Sequence, residues 1–142
     1  MTDGGGSDLM AAARAALERS YPYGHHFAFE LIEATAELVR VRMPFRDELT
    51  RFNATLHGGA IMSLADTAGV VRATLDARGE LAGTMHLSIH FLHPVAGGHL
   101  DAVARTVHSG RTSLVLETTL EDADGRRVGL VTQTQAVRPP AE

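Results

Sequence analysis

Between residues 58 and 77 the apolar side chains Ile61, Leu64, Ala65, Ala68, Val71 and Leu75 recur at helical spacing, and Ala60, Met62 and Val70 make the remaining faces apolar too. This pattern predicts a long helix buried nearly all round. Gly58-Gly59 would start it and Gly79 would close it as a C-terminal cap. Before it, residues 8–20 are rich in strong helix formers, with Asp8 as a possible cap, and predict a short N-terminal helix. A loop over 21–26 leads to two extended segments, 28–33 and 36–43, the second placing Arg40 and Arg42 on one face; Pro44 ends the pair.

After the helix, alternation predicts four strands in a row, 84–93, 99–108, 113–121 and 127–137. Pro94 with Gly97-Gly98, Ser109-Gly110-Arg111 and Asp122-Ala123-Asp124-Gly125 supply hairpin signals between them. In the first of these strands Met85, Leu87, Ile89 and Phe91 alternate with His86, Ser88 and His90, so one face is expected to be core. The prediction is an α+β domain in which a curved antiparallel sheet wraps one helix. Residues 1–7 read as a disordered tail and 8–142 as a single domain, with no internal repeat.

Composition narrows the chemistry. The chain has 142 residues, 44% of them hydrophobic and 21% charged, with a net charge of −4, as in a soluble globular protein. No basic stripe is present to release phosphate counterions, so nucleic acid is not an expected partner. The absence of cysteine excludes disulfides, thiolate nucleophiles and cysteine-ligated zinc. No apolar run reaches the roughly 18 residues of a membrane span and no secretory signal is seen, so no membrane association and a cytoplasmic location are expected. His86, His90 and His93 invite a metal reading, but on a strand the third points away from the other two and the three would converge only with a bulge, so a surface or subunit-interface role is expected instead.

One charge stands out. Between Arg51 and Arg72 the only formally charged side chain is Asp66, on the predicted buried helix. An unpaired carboxylate there costs several kcal/mol unless it has a partner or a task. Gly58 and Gly59, eight and seven residues earlier, would leave backbone N–H groups free at a helix start, where negative charge is favoured. Taken singly, each feature has a plainer reading: a tight turn for the glycines, a buried ion pair or loop cap for Asp66, a ring-to-backbone bond for His57.

Together they resemble a known pattern. The motif Leu56-His57-Gly58-Gly59-Ala60-Ile61-Met62-Ser63-Leu64-Ala65-Asp66-Thr67-Ala68, in this order of elements, resembles that of hotdog-fold PaaI-like acyl-CoA thioesterases, relatives of phenylacetyl-CoA and 4-hydroxybenzoyl-CoA thioesterases, over residues 27–137. The resemblance implies hydrolysis of acyl-CoA with no metal or separate cofactor, coenzyme A being part of the substrate. It implies that Asp66 is general base or nucleophile and that the Gly58 N–H polarises the thioester carbonyl beside His57 and Gly59. Thr84 stands where relatives carry a serine or threonine that orients water, and Gly110-Arg111 matches a turn near coenzyme A, where Arg111 would meet a phosphate. Relatives also carry an asparagine six residues before the histidine; here Arg51 holds that place and Asn53 is the nearest asparagine.

Geometry adds a requirement of its own. Eight residues of helix separate Gly58 from Asp66 by about 12 Å at 1.5 Å per residue, too far for both to touch one carbonyl. If both act, they come from different subunits of a two-fold homodimer. Relatives likewise pair the strand after the helix across a dimer, and often stack dimers into tetramers. A non-catalytic acyl-CoA-binding or sensory protein is the rival expectation. A hotdog dehydratase ranks behind it, because the run after His57 does not match the dehydratase motif.

Overall fold

The computed structural model describes residues 4–141; Met1, Thr2, Asp3 and Glu142 lie outside them, with the corresponding part of the expected tail. The elements are α1 (Gly4–Glu18), β1 (Glu30–Ala34), β2 (Val39–Pro44), α2 (Gly58–Asp76), β3 (Glu80–Phe91), β4 (His99–Ser109), β5 (Ser113–Asp122) and β6 (Arg127–Arg138), with a 3₁₀ turn at Tyr23–Phe27. All six strands form one antiparallel sheet in the order β1-β2-β4-β5-β6-β3. Helix α2 lies across one face of the sheet and α1 packs on α2 and β1. No helix among the described residues is long and apolar enough to cross a membrane.

Period-two alternation sets the sheet's two faces. Val39, Val41 and Met43 of β2 are fully buried, as are Leu100, Ala102 and Ala104 of β4, and they meet Ala60, Ile61, Leu64, Ala65, Ala68 and Val71 of α2. Each fully buried leucine in such a core stabilises the fold by roughly 2–5 kcal/mol relative to alanine. The α+β reading is therefore what the sequence led us to expect, but α2 is not buried all round. Nine of its nineteen residues are buried, while Gly59 and Met62 are exposed and Asp66, Thr67 and Val70 are only partly covered, because one stripe of the helix faces a cleft and not the sheet.

Four local expectations are corrected. The strands after α2 do not form a row of four: β4-β5-β6 is a meander, but β3 pairs with β6 at the far edge of the sheet. The connection after β3 looks like a hairpin in sequence, yet it is tied elsewhere. The Leu56 N–H donates to the Val95 carbonyl (2.8 Å), and the Phe45 N–H to that of Gly98 (2.9 Å), with Val95 buried. These bonds carry the chain across to β2 instead of folding it back.

Second, register shifts at Leu81/Gly83 and Thr84/His86 break the alternation at the start of β3 and leave Met85 68% exposed; beyond them the register is regular, Leu87 and Ile89 pack on the core, and Phe91, the last residue of the strand, is 52% exposed beside Gly58. Third, Gly79 is no cap. Ala77 ends α2 in extended conformation, and a Cβ on Gly79 would stand 2.3 Å from the Arg138 carbonyl oxygen, so its role is close approach to β6. Fourth, α1 begins at Gly4, so Gly4–Ser7 are helical and Asp8 lies within the helix. Extending a nucleated helix is far easier than starting one, even through glycine.

The outer face of the sheet carries an ion cluster. Asp101 is 4% exposed; Arg42 donates to it through Nε (2.8 Å) and Arg40 through Nη1 (3.1 Å), and Arg40 also reaches Glu121 (3.0 Å). Burial pushes the Asp101 carboxyl up, but hydrogen bonds from Arg42 and Arg40 outweigh it and hold the group below its ordinary range. The folded chain therefore binds fewer protons here than the unfolded chain between the two pKa values. The stabilisation is complete above the ordinary aspartate value of about 3.9 and is lost as pH falls through the folded one. Asp101→Asn is expected to lose about 2–3 kcal/mol at pH 7, and its stability should fall less steeply below about pH 4 than that of the wild type. Urea titrations across pH test this; an unchanged acid limb would contradict it.

Candidate active site

Helix α2 turns one stripe of its surface, including Gly59, Ser63, Asp66 and Thr74, into a cleft of about 730 Å³ closed by α1 and β3. Asp66 is half-buried there. Its Oδ1 accepts two hydrogen bonds, from the Thr84 hydroxyl on β3 (2.8 Å) and from Gln133 Nε2 on β6 (3.0 Å). Gln135 Nε2 in turn donates to Thr84 Oγ1 (2.8 Å). Strand register explains the convergence: Thr84 pairs with Gln135 and Leu87 with Gln133, so edge strand and neighbour present their polar groups beneath the same turn of α2. The sequence reading named Thr84 as a residue that orients water, not as a partner of Asp66, and missed both glutamines. Their signal was visible, since Gln133 and Gln135 occupy inward-facing positions of a strand between Val131 and Val137.

Gly69, one turn beyond Asp66, belongs to the same arrangement. A Cβ on it would fall 1.9 Å from Gln133 Oε1 and 2.4 Å from its Cδ. Only glycine leaves room for the amide at that point.

The start of α2 is built differently. His57 is its N-cap, in extended conformation, and its Nδ1 accepts the Gly59 N–H (2.8 Å), which requires the tautomer with hydrogen on Nε2. The Ala60 and Ile61 N–H groups bond to the His57 carbonyl. Of the two glycines put forward by the sequence, Gly59 lines the Asp66 cleft but its N–H is taken; among the described residues the Gly58 N–H has no acceptor. Gly58 faces a second hollow of about 380 Å³, with Leu56, Ile61, Phe91 and Pro94. A Cβ on Gly58 would lie 3.1 Å from the Phe91 ring, so its small size admits that ring. Within one chain, Gly58 and Asp66 open onto separate hollows.

The remaining predicted residues lie apart from Asp66. Asn53 is exposed, and its Oδ1 accepts the Thr55 hydroxyl (2.8 Å), whose oxygen accepts Arg51 Nε (3.0 Å). This turn leads into His57, whose N–H is fixed by the Leu49 carbonyl (2.8 Å). Gly110 closes the β4–β5 turn through its N–H to the Ser113 carbonyl (2.8 Å). Arg111 is exposed there, without an ion-pair partner among the described residues. Ser113 pairs with Ala136, and Ala136 with Gly83, so that turn stands at the Thr84 end of the sheet, two strands from the edge. Among the described residues no cluster of three or more histidine, aspartate or glutamate side chains is placed to hold a metal ion.

Comparison with known proteins agrees with this architecture. Residues 53–128 match the Thioesterase superfamily. The chain is 31% identical to ComA2 of Bacillus subtilis over 110 residues, covering 76% of this chain and 87% of that protein. It is 32% identical to the proofreading thioesterase EntH of Cronobacter sakazakii, covering 69% and 67%. It is 38% identical to an esterase-named protein of Saccharolobus solfataricus, where the match spans 61% of each chain. Among solved structures it resembles PaaI of Escherichia coli, with a TM-score of 0.78 at 22% identity over 94% of this chain and 98% of that one. The likeness to PaaI, a long helix wrapped by an antiparallel sheet, establishes the hotdog fold expected from the motif. With more than half of its length matched, the chain belongs to the thioesterase superfamily.

Proposed function

We propose that this protein hydrolyses acyl-CoA thioesters in a homodimer, each site taking Asp66 from one chain and the oxyanion donor, the partner subunit's Gly58, from the other. The observation that carries the proposal is the division just described. A carboxylate with one oxygen held by two donors lies in one hollow, and the free N–H of the helix start lies in another. A thioester is already activated, so a carboxylate that activates water or attacks directly suffices when backbone N–H stabilises the tetrahedral oxyanion.

Strand β3 offers the means of joining the halves. It is twelve residues long and among the described residues pairs only with β6, leaving one edge free. Asp66 is bonded to Thr84 near the start of β3, and Gly58 sits beside Phe91 at its end. If two copies of β3 pair antiparallel about a two-fold axis near Leu87 and Ser88, Thr84 of each chain stands opposite Phe91 of the other. That register carries each carboxylate toward the other chain's free N–H, and a tetramer would be two such dimers.

In this reading coenzyme A supplies the phosphates for Arg111, His57 holds the helix start open, and Asn53 shapes the turn before it. No group beyond the substrate is required. The test is thiol release over a panel of aromatic and aliphatic acyl-CoA esters. Turnover on at least one class is expected; tight acyl-CoA binding with no thiol release would favour the sensory, non-catalytic rival.

A further inference from the structure

We infer that Gln133 and Gln135 fix the direction of every hydrogen bond at the carboxylate, leaving Asp66 Oδ2 as its only reactive oxygen and making Thr84 an acceptor toward the attacking water. The inference rests on the hydrolytic reading of Asp66 and sharpens it.

An ionised carboxylate only accepts hydrogen bonds, so Gln133 must present Nε2 and Thr84 its O–H to Oδ1. The one hydrogen of Thr84 is then committed. Its oxygen must accept from Gln135, which therefore presents Nε2 as well. Reversing the Gln135 amide would set two oxygens against each other with no hydrogen between them. Both glutamines are buried, Gln133 2% and Gln135 0% exposed, and their carbonyl oxygens have no partner among the described residues. Burial without compensation for two carbonyls is costly, which marks the arrangement as serving something other than stability. The carbonyl of Gln133 is accommodated only because Gly69 has no side chain.

What remains open defines the chemistry. Oδ2 has no partner among the described residues, and Thr84 Oγ1 keeps one lone pair. A water in the cleft can donate one hydrogen to Oδ2 and the other to Thr84, which turns its own lone pair toward the thioester carbon. As the new C–O bond forms, Oδ2 takes the proton. When the C–S bond breaks, the departing thiolate recovers that proton from Asp66, leaving free acid, thiol and an ionised carboxylate. Asp66 is then general base, not nucleophile. Gln133, Gln135 and Gly69 are positioning residues.

The test is a double-mutant cycle on the full chain with an acyl-CoA that the wild type turns over. Gln133→Ala is expected to lower kcat about tenfold to a hundredfold, the effect of misplacing a reacting group by about 1 Å, with KM unchanged within about twofold. Gly69→Ala should do the same by expelling the Gln133 amide, and the double variant should be no slower than Gln133→Ala alone. Losses that multiply, or a Gln133→Ala enzyme with wild-type kcat, overturn the inference; if Asp66→Asn is inactive in the same assay, the hydrolytic reading stands regardless. In single turnover in ¹⁸O-labelled water, label is expected in the acid product and none in the peptide carrying Asp66. Label in that peptide overturns the general-base assignment. If the wild type releases thiol from no acyl-CoA of the panel, both readings are overturned.

Discussion

Asp66→Asn is expected to lower kcat for acyl-CoA hydrolysis by about 10³-fold, the middle of the range for losing a general base, while leaving fold and assembly intact. The side chains are nearly the same shape, and the amide oxygen can still accept from Thr84 and Gln133. What disappears is the proton acceptor at Oδ2. Thermal unfolding should therefore shift little, because no buried atom loses its partner. Thiol release measured beside circular dichroism separates the two effects. Wild-type turnover in this variant would show that Asp66 has no chemical role.

The second large effect concerns a backbone atom. Gly58 is the first residue of α2 and its N–H has no acceptor among the described residues, so Gly58→Pro removes the proposed oxyanion donor at a position where proline suits a helix. His57, at φ −67° and ψ 137°, already has the extended conformation that a following proline requires. A Cβ at this position meets only Phe91, which is half-exposed. Loss of one such donor is worth about 2.7–4 kcal/mol of transition-state stabilisation, or a rate falling by roughly 10²–10³. Stability should change far less.

Mixing makes this decisive. Unfold and refold equal amounts of Asp66→Asn and Gly58→Pro chains together. If each site draws on two subunits, a mixed dimer has one site with both lesions and one with neither. Random pairing makes half the dimers mixed, so about one quarter of wild-type activity should return from two nearly inactive proteins. If both groups of a site came from one chain, every site would carry a lesion and nothing would return.

Local pattern was the legible part of this chain. The bounds of α2 were readable to within a residue, and β4, β5 and β6 to within one or two, because apolar spacing and turn residues are local signals. The position of β3 was not, since strand order depends on where a connector is anchored, and Val95 and Gly98 bond to partners far away in sequence. Gly79 and Gly69 were misread or passed over for a related reason: a glycine chosen for clearance looks like any other small residue until its neighbour is known. Asp66, Gly58 and Thr84 were singled out through the family resemblance. Gln133 escaped because it reaches Asp66 across 67 positions, although two glutamines on the apolar side of a strand were a warning.

The placement of those glutamines has a consequence for how the protein comes into being. The carboxylate is encoded near the middle of the chain, but the amides that orient it arrive on β6, the last strand described. A chain emerging from the ribosome carries its acid long before it carries the means to aim it. On the proposed mechanism turnover waits for β6 to dock, so the appearance of activity during refolding would time that step.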